Sequence, residues 1–257
     1  MKRIILVKLG GSIITDKKVA YKLRGRAIKR LANELKKRKV NLVIAHGNGS
    51  FGHTSSAKYG GMKGYKSKIG IAKVAQDVSN LNQIITNTFV KEGLPAISLR
   101  PMGMILTEKG NTKKSLLEIV EEMIKQGLMP IMCGDILWDK EWKSTIYSGE
   151  KILSELAIYL RGKGYKVEKI IQVGVTDGVY DDRKKTIPLI TEENWPKVKE
   201  FIYKQKVKDI SGGMRHKIEN AFAISKLGIK TVLINGQRQN ELSNAIMGKK
   251  VKGTLIK

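Results

Sequence analysis

Hydrophobic and polar positions are grouped in blocks along the chain, and the blocks change period in a regular way. Ile4-Ile5-Leu6-Val7 is a short unbroken apolar run closed by Gly10-Gly11, which predicts a buried strand followed by a glycine loop. From Tyr21 to Lys39 the apolar residues Ala27, Ile28, Leu31 and Leu35 recur every three or four positions among lysines and arginines. That period predicts an amphipathic helix with a solvated basic face. Asn41 to Ala45 is a second apolar strand and runs directly into His46-Gly47-Asn48-Gly49-Ser50-Phe51-Gly52-His53. Strand, helix, strand and glycine loop together predict a parallel βαβ unit.

The alternation continues. A long helix is expected from about Ile69 to Glu92, with Ile71, Val74, Val78, Leu81, Ile84, Ile85 and Thr88 or Phe89 on one stripe, stopping at Gly93. Pro95 to Leu99 and Leu128 to Met132 read as strands, separated by a helix from Lys114 to Gln126 that Gly127 ends. Asp135 to Glu150 places Trp138, Trp142 and Tyr147 among charges and reads as a β-hairpin, followed by a helix from Ile152 to Arg161. A strand from Lys169 to Val175, a helix beginning near Ser211 and strands at Thr231 to Asn235 and Val251 to Ile256 complete the pattern. No repeat or low-complexity linker interrupts it. The expected architecture is α/β, a mostly parallel sheet with helices on both faces, which places ligands at the carboxyl ends of the strands.

Composition narrows the class. The 257 residues are enough for a sizeable core, and 41% apolar with 28% charged residues is an ordinary globular mix. The single cysteine, Cys133, excludes an internal disulfide and reads as a small buried apolar residue; three histidines without HExxH spacing argue against a zinc hydrolase. The 49 basic against 23 acidic residues give a net charge of +26, which favours anionic partners. The basic residues are spread along the whole chain, aromatics are only 6%, and no nucleic-acid-binding signature is present, so nucleic acid is not the expected partner. The amino-terminal apolar run stops at Lys8, and no stretch approaches the roughly 18 apolar residues of a membrane span, so no membrane partner and a cytoplasmic location are expected.

Candidate chemistry lies in three glycine loops, Gly10-Gly11-Ser12, Gly47 to Gly52, and Ser211-Gly212-Gly213. Glycine lets consecutive backbone N–H groups turn toward one anion, and helix N-termini add positive potential, so three such loops suggest a polyphosphate. Gly47-Asn48-Gly49-Ser50-Phe51-Gly52 also fits the dinucleotide pattern G-x-G-x-x-G, but Asp77 is a poor candidate for its ribose-binding acid. The same stretch nearly fits a P-loop, with His53 where the lysine belongs. Both patterns describe an anion cradle with an imidazole at its far end. Lys8 and Lys17 flank the first loop and Lys217 follows the third, a set suited to neutralising a transferring phosphoryl group. A nucleotide- or nucleic-acid-binding module and an NAD-dependent oxidoreductase are the alternatives from other classes.

The ordered set Lys8-Leu9-Gly10-Gly11-Ser12, Thr15-Asp16-Lys17, His46 to His53, Gly134-Asp135, Tyr147-Ser148-Gly149, Asp177-Gly178-Val179-Tyr180 and Ser211-Gly212-Gly213-Met214 resembles the amino acid kinase superfamily. The Gly-Ser-Phe-Gly-His ending resembles its archaeal isopentenyl phosphate kinase branch. The resemblance spans the chain. It implies a three-layer αβα sandwich in one domain, residues 1–257, with an acceptor lobe over about 1–150, a nucleotide lobe over about 151–257, and a homodimer. It implies transfer of the ATP γ-phosphoryl group, with Mg2+, to the phosphomonoester isopentenyl phosphate in an alternative mevalonate route. In that reading Lys8, Lys17 and Lys217 neutralise the ATP phosphates, with backbone donors from Gly10, Gly11, Ser12, Gly49 and Gly213. Asn48, Gly49, His53 and Gly149 hold the acceptor phosphate, and Ile71, Val74 and Val78 face its tail. Val175, Asp177 and Tyr180 fall on the nucleotide loop. No protein metal ligand is implied; Asp135 and Asp177 are candidates for orienting a lysine, for outer-shell magnesium contact, or for a cap or turn. Two positions depart from the pattern, Asn48 where a glycine is usual and Val175 where an aspartate is usual. A fosfomycin- or phosphonate-type kinase of the same superfamily is the nearest rival.

Overall fold

The computed structural model describes residues 2–36, 40–59, 65, 67–204 and 213–257. At its centre, β1 (Arg3–Leu9) lies between β2 (Asn41–His46) and β9 (Lys166–Gly174). Beyond β2 come β6 (Met129–Cys133) and β3 (Ala96–Ser98), and beyond β9 comes β11 (Lys230–Asn235), all in parallel pairing. Past β11, β12 (Gly253–Ile256) pairs antiparallel and carries β10 (Leu189–Ile190) as the edge. The mostly parallel sheet expected from the pattern is therefore eight strands wide, with its last two strands reversed. Strands buried on both faces read as continuous apolar runs, which is why β1 and β2 stand out in the sequence.

Alternate side chains of β1 serve different cores. Ile5, Val7 and Leu9 pack with α2 (Gly25–Lys36), the C-terminal half of α4 (Lys68–Lys91) and α9 (Glu241–Ile246). Ile4 and Leu6 pack on the opposite face with α5 (Glu118–Lys125) and α6 (Gly149–Gly162). A third cluster joins α7 (Trp195–Lys204) and α8 (Gly213–Ser225) to β10, β11 and β12. Helix boundaries follow local chemistry. Ser67 and Ser148 cap α4 and α6 by accepting from the N–H groups of Gly70 and Lys151, and Gly93 and Gly127 follow α4 and α5 with positive φ.

Some elements differ from the sequence expectation. The segment expected as a glycine loop turns into a helix, α3 (Gly49–Tyr59), one residue after Asn48. Its apolar residues form no stripe, so periodicity gives no signal, and Thr54 and Ser55 satisfy their hydroxyls on the carbonyls one turn back. Lys114 and Ser115 belong to a strand, β5 (Asn111–Ser115), rather than to the start of a helix; α5 begins at Glu118. The hairpin between 135 and 150 is present as β7 (Asp135–Asp139) and β8 (Lys143–Tyr147), and β4 (Ile105–Glu108) with β5 extends it to a separate four-stranded sheet. The closing strand starts at Gly253 rather than Val251. A four-residue helix, α1 (Gly11–Ile14), follows β1 directly. No helix among the described residues is long and apolar enough to cross a membrane.

Candidate active site

The carboxyl ends of β1, β2, β6 and β9 each run into a glycine, Gly10, Gly47, Gly134 and Gly174, and all four line one cleft. The first residues of α1, α3 and α6 line it too, and Met214 and Lys217 bring in the opening turns of α8. N-termini of α3, α6 and α8 therefore surround one volume, which raises its potential and offers backbone N–H groups to an anion. Two loops meet closely at its floor. A Cβ on Gly11 would come within 2.6 Å of the Gly49 nitrogen, and Gly49 sits at φ +48°, so neither position accommodates a side chain without moving the other loop. Thr15 supports the junction, donating to the Gly11 carbonyl at 2.8 Å and accepting from the Ser50 N–H at 2.9 Å.

Lys8, Lys17 and Lys217, from far-apart parts of the sequence, all line this cleft. Lys8 is buried, and its Nζ lies 2.5 Å from Oε1 of Glu150 in the first turn of α6. Burial alone pushes the Glu150 carboxyl up, but the charges of Lys8 and Lys217 outweigh it and hold the group below the usual carboxylate range. Glu150 is thus the counter-charge shared by two of the lysines. His53 projects from α3, one helical turn beyond Gly49, and lines the same cleft with Asn48, Gly49 and Gly149. The carboxamide oxygens of Asn48 and Gln172 are buried without a partner among the described residues, and both residues line the cleft. Gln172 stands beside Lys8 in the register of β9 on β1.

Gly10, Gly11 and Ser12 also line the cleft, while Gly213 opens α8 just before Met214. Ser211 and Gly212 lie outside the described residues. The three nucleotide-loop candidates sit elsewhere. Val175 packs as a partly buried residue on the core under α2 and α9. Asp177 and Tyr180 line a separate depression with Asp181, Lys184 and Lys252. The Asp177 carboxylate accepts 2.7 Å bonds from both Nε and Nη2 of Arg238, one of 2.9 Å from Asn235, and faces Lys252 at 3.0 Å. The Arg238 hydrogen bond is the main cause that holds it well below the usual carboxylate range, and its N–H donates to the Tyr180 hydroxyl. Asp135 is likewise engaged, accepting bonds of 2.9 and 2.7 Å from Nε and Nη2 of Arg100, and it does not line the cleft. Val74 and Val78 are buried, with Ile71 packed beside them, in an apolar cluster with Tyr65, Cys133 and Ile136; none of the three lines the cleft. Asp77 lies mid-way along α4 and accepts from the Tyr21 hydroxyl.

The amino acid kinase family model matches residues 3–235 of the chain. The chain belongs to the amino acid kinase family. Within the family it is 29% identical to the isopentenyl phosphate kinase of Methanocaldococcus jannaschii, over 98% of each chain. It is 30% identical to the enzyme of that name from Arabidopsis thaliana, over 75% of this chain and 63% of the plant protein. An acetylglutamate kinase of Parabacteroides distasonis is 22% identical over 91% of this chain and 94% of its own. Among solved structures, one described as an X-ray structure of isopentenyl phosphate kinase superposes with a TM-score of 0.82 over 98% of this chain and all of its own, at 24% identity. That likeness establishes the family's αβα fold for this chain.

Sequence reasoning missed Glu150 and Gln172. Glu150 follows the quoted Tyr147-Ser148-Gly149 motif directly, and a serine cap with an acid in the first turn is a readable helix start. Gln172 is the one polar residue in the run Ile170-Ile171-Gln172-Val173, an interruption that itself marks a side chain with something to meet.

Proposed function

We propose that this chain transfers the γ-phosphoryl group of ATP to isopentenyl phosphate, giving isopentenyl diphosphate and ADP. The observation that carries the reading is the convergence of Lys8, Lys17 and Lys217 with the helix-borne imidazole of His53 on one cleft of glycine loops. Family membership and the full-length likeness to isopentenyl phosphate kinases support it.

Lys8, Lys17 and Lys217 neutralise the triphosphate, and the Gly10-Gly11 and Gly49 backbones donate to its oxygens. His53 donates an N–H to the acceptor phosphate, with Asn48 and Gly149 beside it. An acceptor phosphate oxygen is already anionic, so no base need remove a proton. The new bond forms between that oxygen and Pγ while the bond from Pγ to the bridging oxygen breaks, ADP leaving with the electron pair. Placement and charge neutralisation carry such a reaction. Magnesium fits the cleft: the unpartnered oxygens of Gln172 and Asn48 are acceptors suited to water bound on a nucleotide-held cation, which when bound supplies further neutralisation of the β- and γ-phosphates. Asp177 and Tyr180 belong to this proposal as the outer rim of the nucleotide lobe, Gly213 as the start of α8, and Val175 as the packing beneath the nucleotide loop. Ile71, Val74 and Val78 provide the apolar wall behind the acceptor side. A homodimer working in the cytoplasm, with residues 1–150 holding the acceptor and 151–257 the nucleotide, completes the reading.

The test is a steady-state ADP-release assay with isopentenyl phosphate, fosfomycin, uridylate and acetylglutamate as separate acceptors. The expected result is that kcat/KM for isopentenyl phosphate exceeds the others by at least about a hundredfold. Turnover of fosfomycin with none of isopentenyl phosphate would overturn the assignment.

A further inference from the structure

Lys17 does not belong to a strand or helix. It lies on a strap, residues 16–22, whose base is closed by a β-bridge between Thr15 and Leu23 and by bonds from Asp16 N–H to the Lys22 carbonyl at 2.8 Å and from Arg24 N–H to the Ile14 carbonyl at 2.8 Å. Those contacts hold the two ends. Within the strap, the backbone bonds among the described residues are the longer ones of 3.3 and 3.4 Å from Val19 and Lys22, beside the Lys18 N–H on Oδ1 of Asp16. A long flexible side chain on such a strap gains little catalytic precision unless something fixes the strap to the walls of the cleft.

Tyr21 makes that attachment. Its backbone is at φ +56°, a region that an aromatic residue occupies only when its surroundings impose it. Two contacts do so. Its hydroxyl donates at 3.0 Å to Oδ2 of Asp77, a carboxylate buried in the middle of α4, and its ring meets Phe51 edge-to-face with centroids 5.5 Å apart. Phe51 belongs to the Gly49 to His53 turn of α3, and Asp77 lies next to Val78 on α4. The strap is therefore pinned to the two helices that carry the acceptor-side residues. Tyr21 remains 43% exposed, so burial of its own surface does not explain the strained backbone; the hydroxyl and the ring edge do.

We infer that Tyr21 is a positioning residue for phosphoryl transfer, holding the Lys17 strap to Asp77 on α4 and Phe51 on α3 so that the Lys17 ammonium is set against the transferring group. This rests on the reading of Lys17 given above, and it adds that the lysine's contribution depends on a tyrosine outside the cleft.

The test is a double-mutant cycle on turnover of ATP and isopentenyl phosphate, using Tyr21→Phe and Lys17→Met. Tyr21→Phe keeps the ring on Phe51 and removes only the hydroxyl. It is expected to lower kcat about tenfold, the order for a lost hydrogen bond to a charged partner. KM for the acceptor should remain near the parent value, and the melting temperature should fall by only a few degrees, as one lost bond to the buried Asp77 carboxylate implies. In the Lys17→Met background the same change should have no further effect, because the group it positions is gone. Asp77→Asn, which retains an acceptor oxygen, should restore most of the rate that Asp77→Leu loses. Equal rate losses from Tyr21→Phe in both backgrounds, or no loss in the parent, would overturn the inference. If Lys17→Met alone leaves kcat unchanged, the reading of Lys17 falls and the inference falls with it, a result distinct from failure of the Tyr21 link alone.

Discussion

Lys8 and Glu150 show how a single pair can serve both stability and binding. Both side chains are about nine-tenths buried, and their pairing relieves two charges that the interior would otherwise penalise. Glu150→Gln leaves the Lys8 ammonium without a counter-charge and is expected to cost about 3 kcal/mol of unfolding free energy in the absence of nucleotide. A bound triphosphate replaces the missing carboxylate. The loss measured by urea denaturation should therefore shrink in saturating non-hydrolysable ATP analogue, and by linkage the variant should bind that analogue more tightly than the parent does. An equal loss with and without the analogue would show that Glu150 and the phosphates do not compete for Lys8. At this scale the sequence was legible where a motif repeats a known spacing: Lys8, Lys17, His53 and Lys217 were each readable, and they share the cleft. Glu150 and Gln172 were not singled out, because their importance comes from which strand or helix lies opposite, and no local pattern reports that.

At the scale of elements, β2 and α4 are tied by a buried polar bridge. Nε2 of His46, the last residue of β2, lies 3.0 Å from Oδ1 of Asn82 on α4, and the Asn82 amide donates in turn to the Ser98 hydroxyl at 2.8 Å. Burial is the main cause that lowers the His46 pKa from the usual 6.5 to about 4. A base whose folded pKa is depressed is fully stabilising above pH 6.5, where both states are neutral, and loses that advantage as pH falls toward 4 because only the unfolded chain takes up the proton. The loss over that window is about 3 kcal/mol at roughly 1.4 kcal/mol per pH unit. Urea denaturation between pH 7 and pH 4, at roughly half-unit steps, should show it in the parent, and His46→Asn should flatten that slope although it starts from lower stability. Identical slopes in the two proteins would assign the pH sensitivity elsewhere. The strands and long helices were legible because burial on both faces or on one stripe writes a clear period. The α3 helix was not, since glycine, serine and threonine satisfy it through backbone bonds and approach to the Gly11 loop, neither of which leaves a hydrophobic period. The β4–β5 hairpin was obscured because its second strand, Asn-Thr-Lys-Lys-Ser, is a mostly solvent-facing edge.

For the whole molecule, the fold class follows from alternation of elements, and the site follows from topology: parallel strands deliver their carboxyl ends, with the glycines that end them, to one rim. The net charge of +26 belongs to the surface at large, and the cleft brings three of those cations and one imidazole into its lining. The apolar stripe Ile71, Val74 and Val78, expected to face a substrate tail, packs against Cys133 and Ile136. Helical periodicity identifies a buried face and is silent on whether protein or ligand covers it. Isopentenyl phosphate kinase chemistry requires that the phosphoryl group leaving ATP in this cleft end on another phosphate. Phosphorus-31 NMR of ATP, Mg2+ and isopentenyl phosphate with the enzyme tests this most directly. The isopentenyl phosphate singlet should be replaced by the coupled doublets of a diphosphate ester in step with ADP, and Lys8→Met should slow this by at least about a hundredfold. Accumulation of ADP with inorganic phosphate while the isopentenyl phosphate signal stays intact would contradict it.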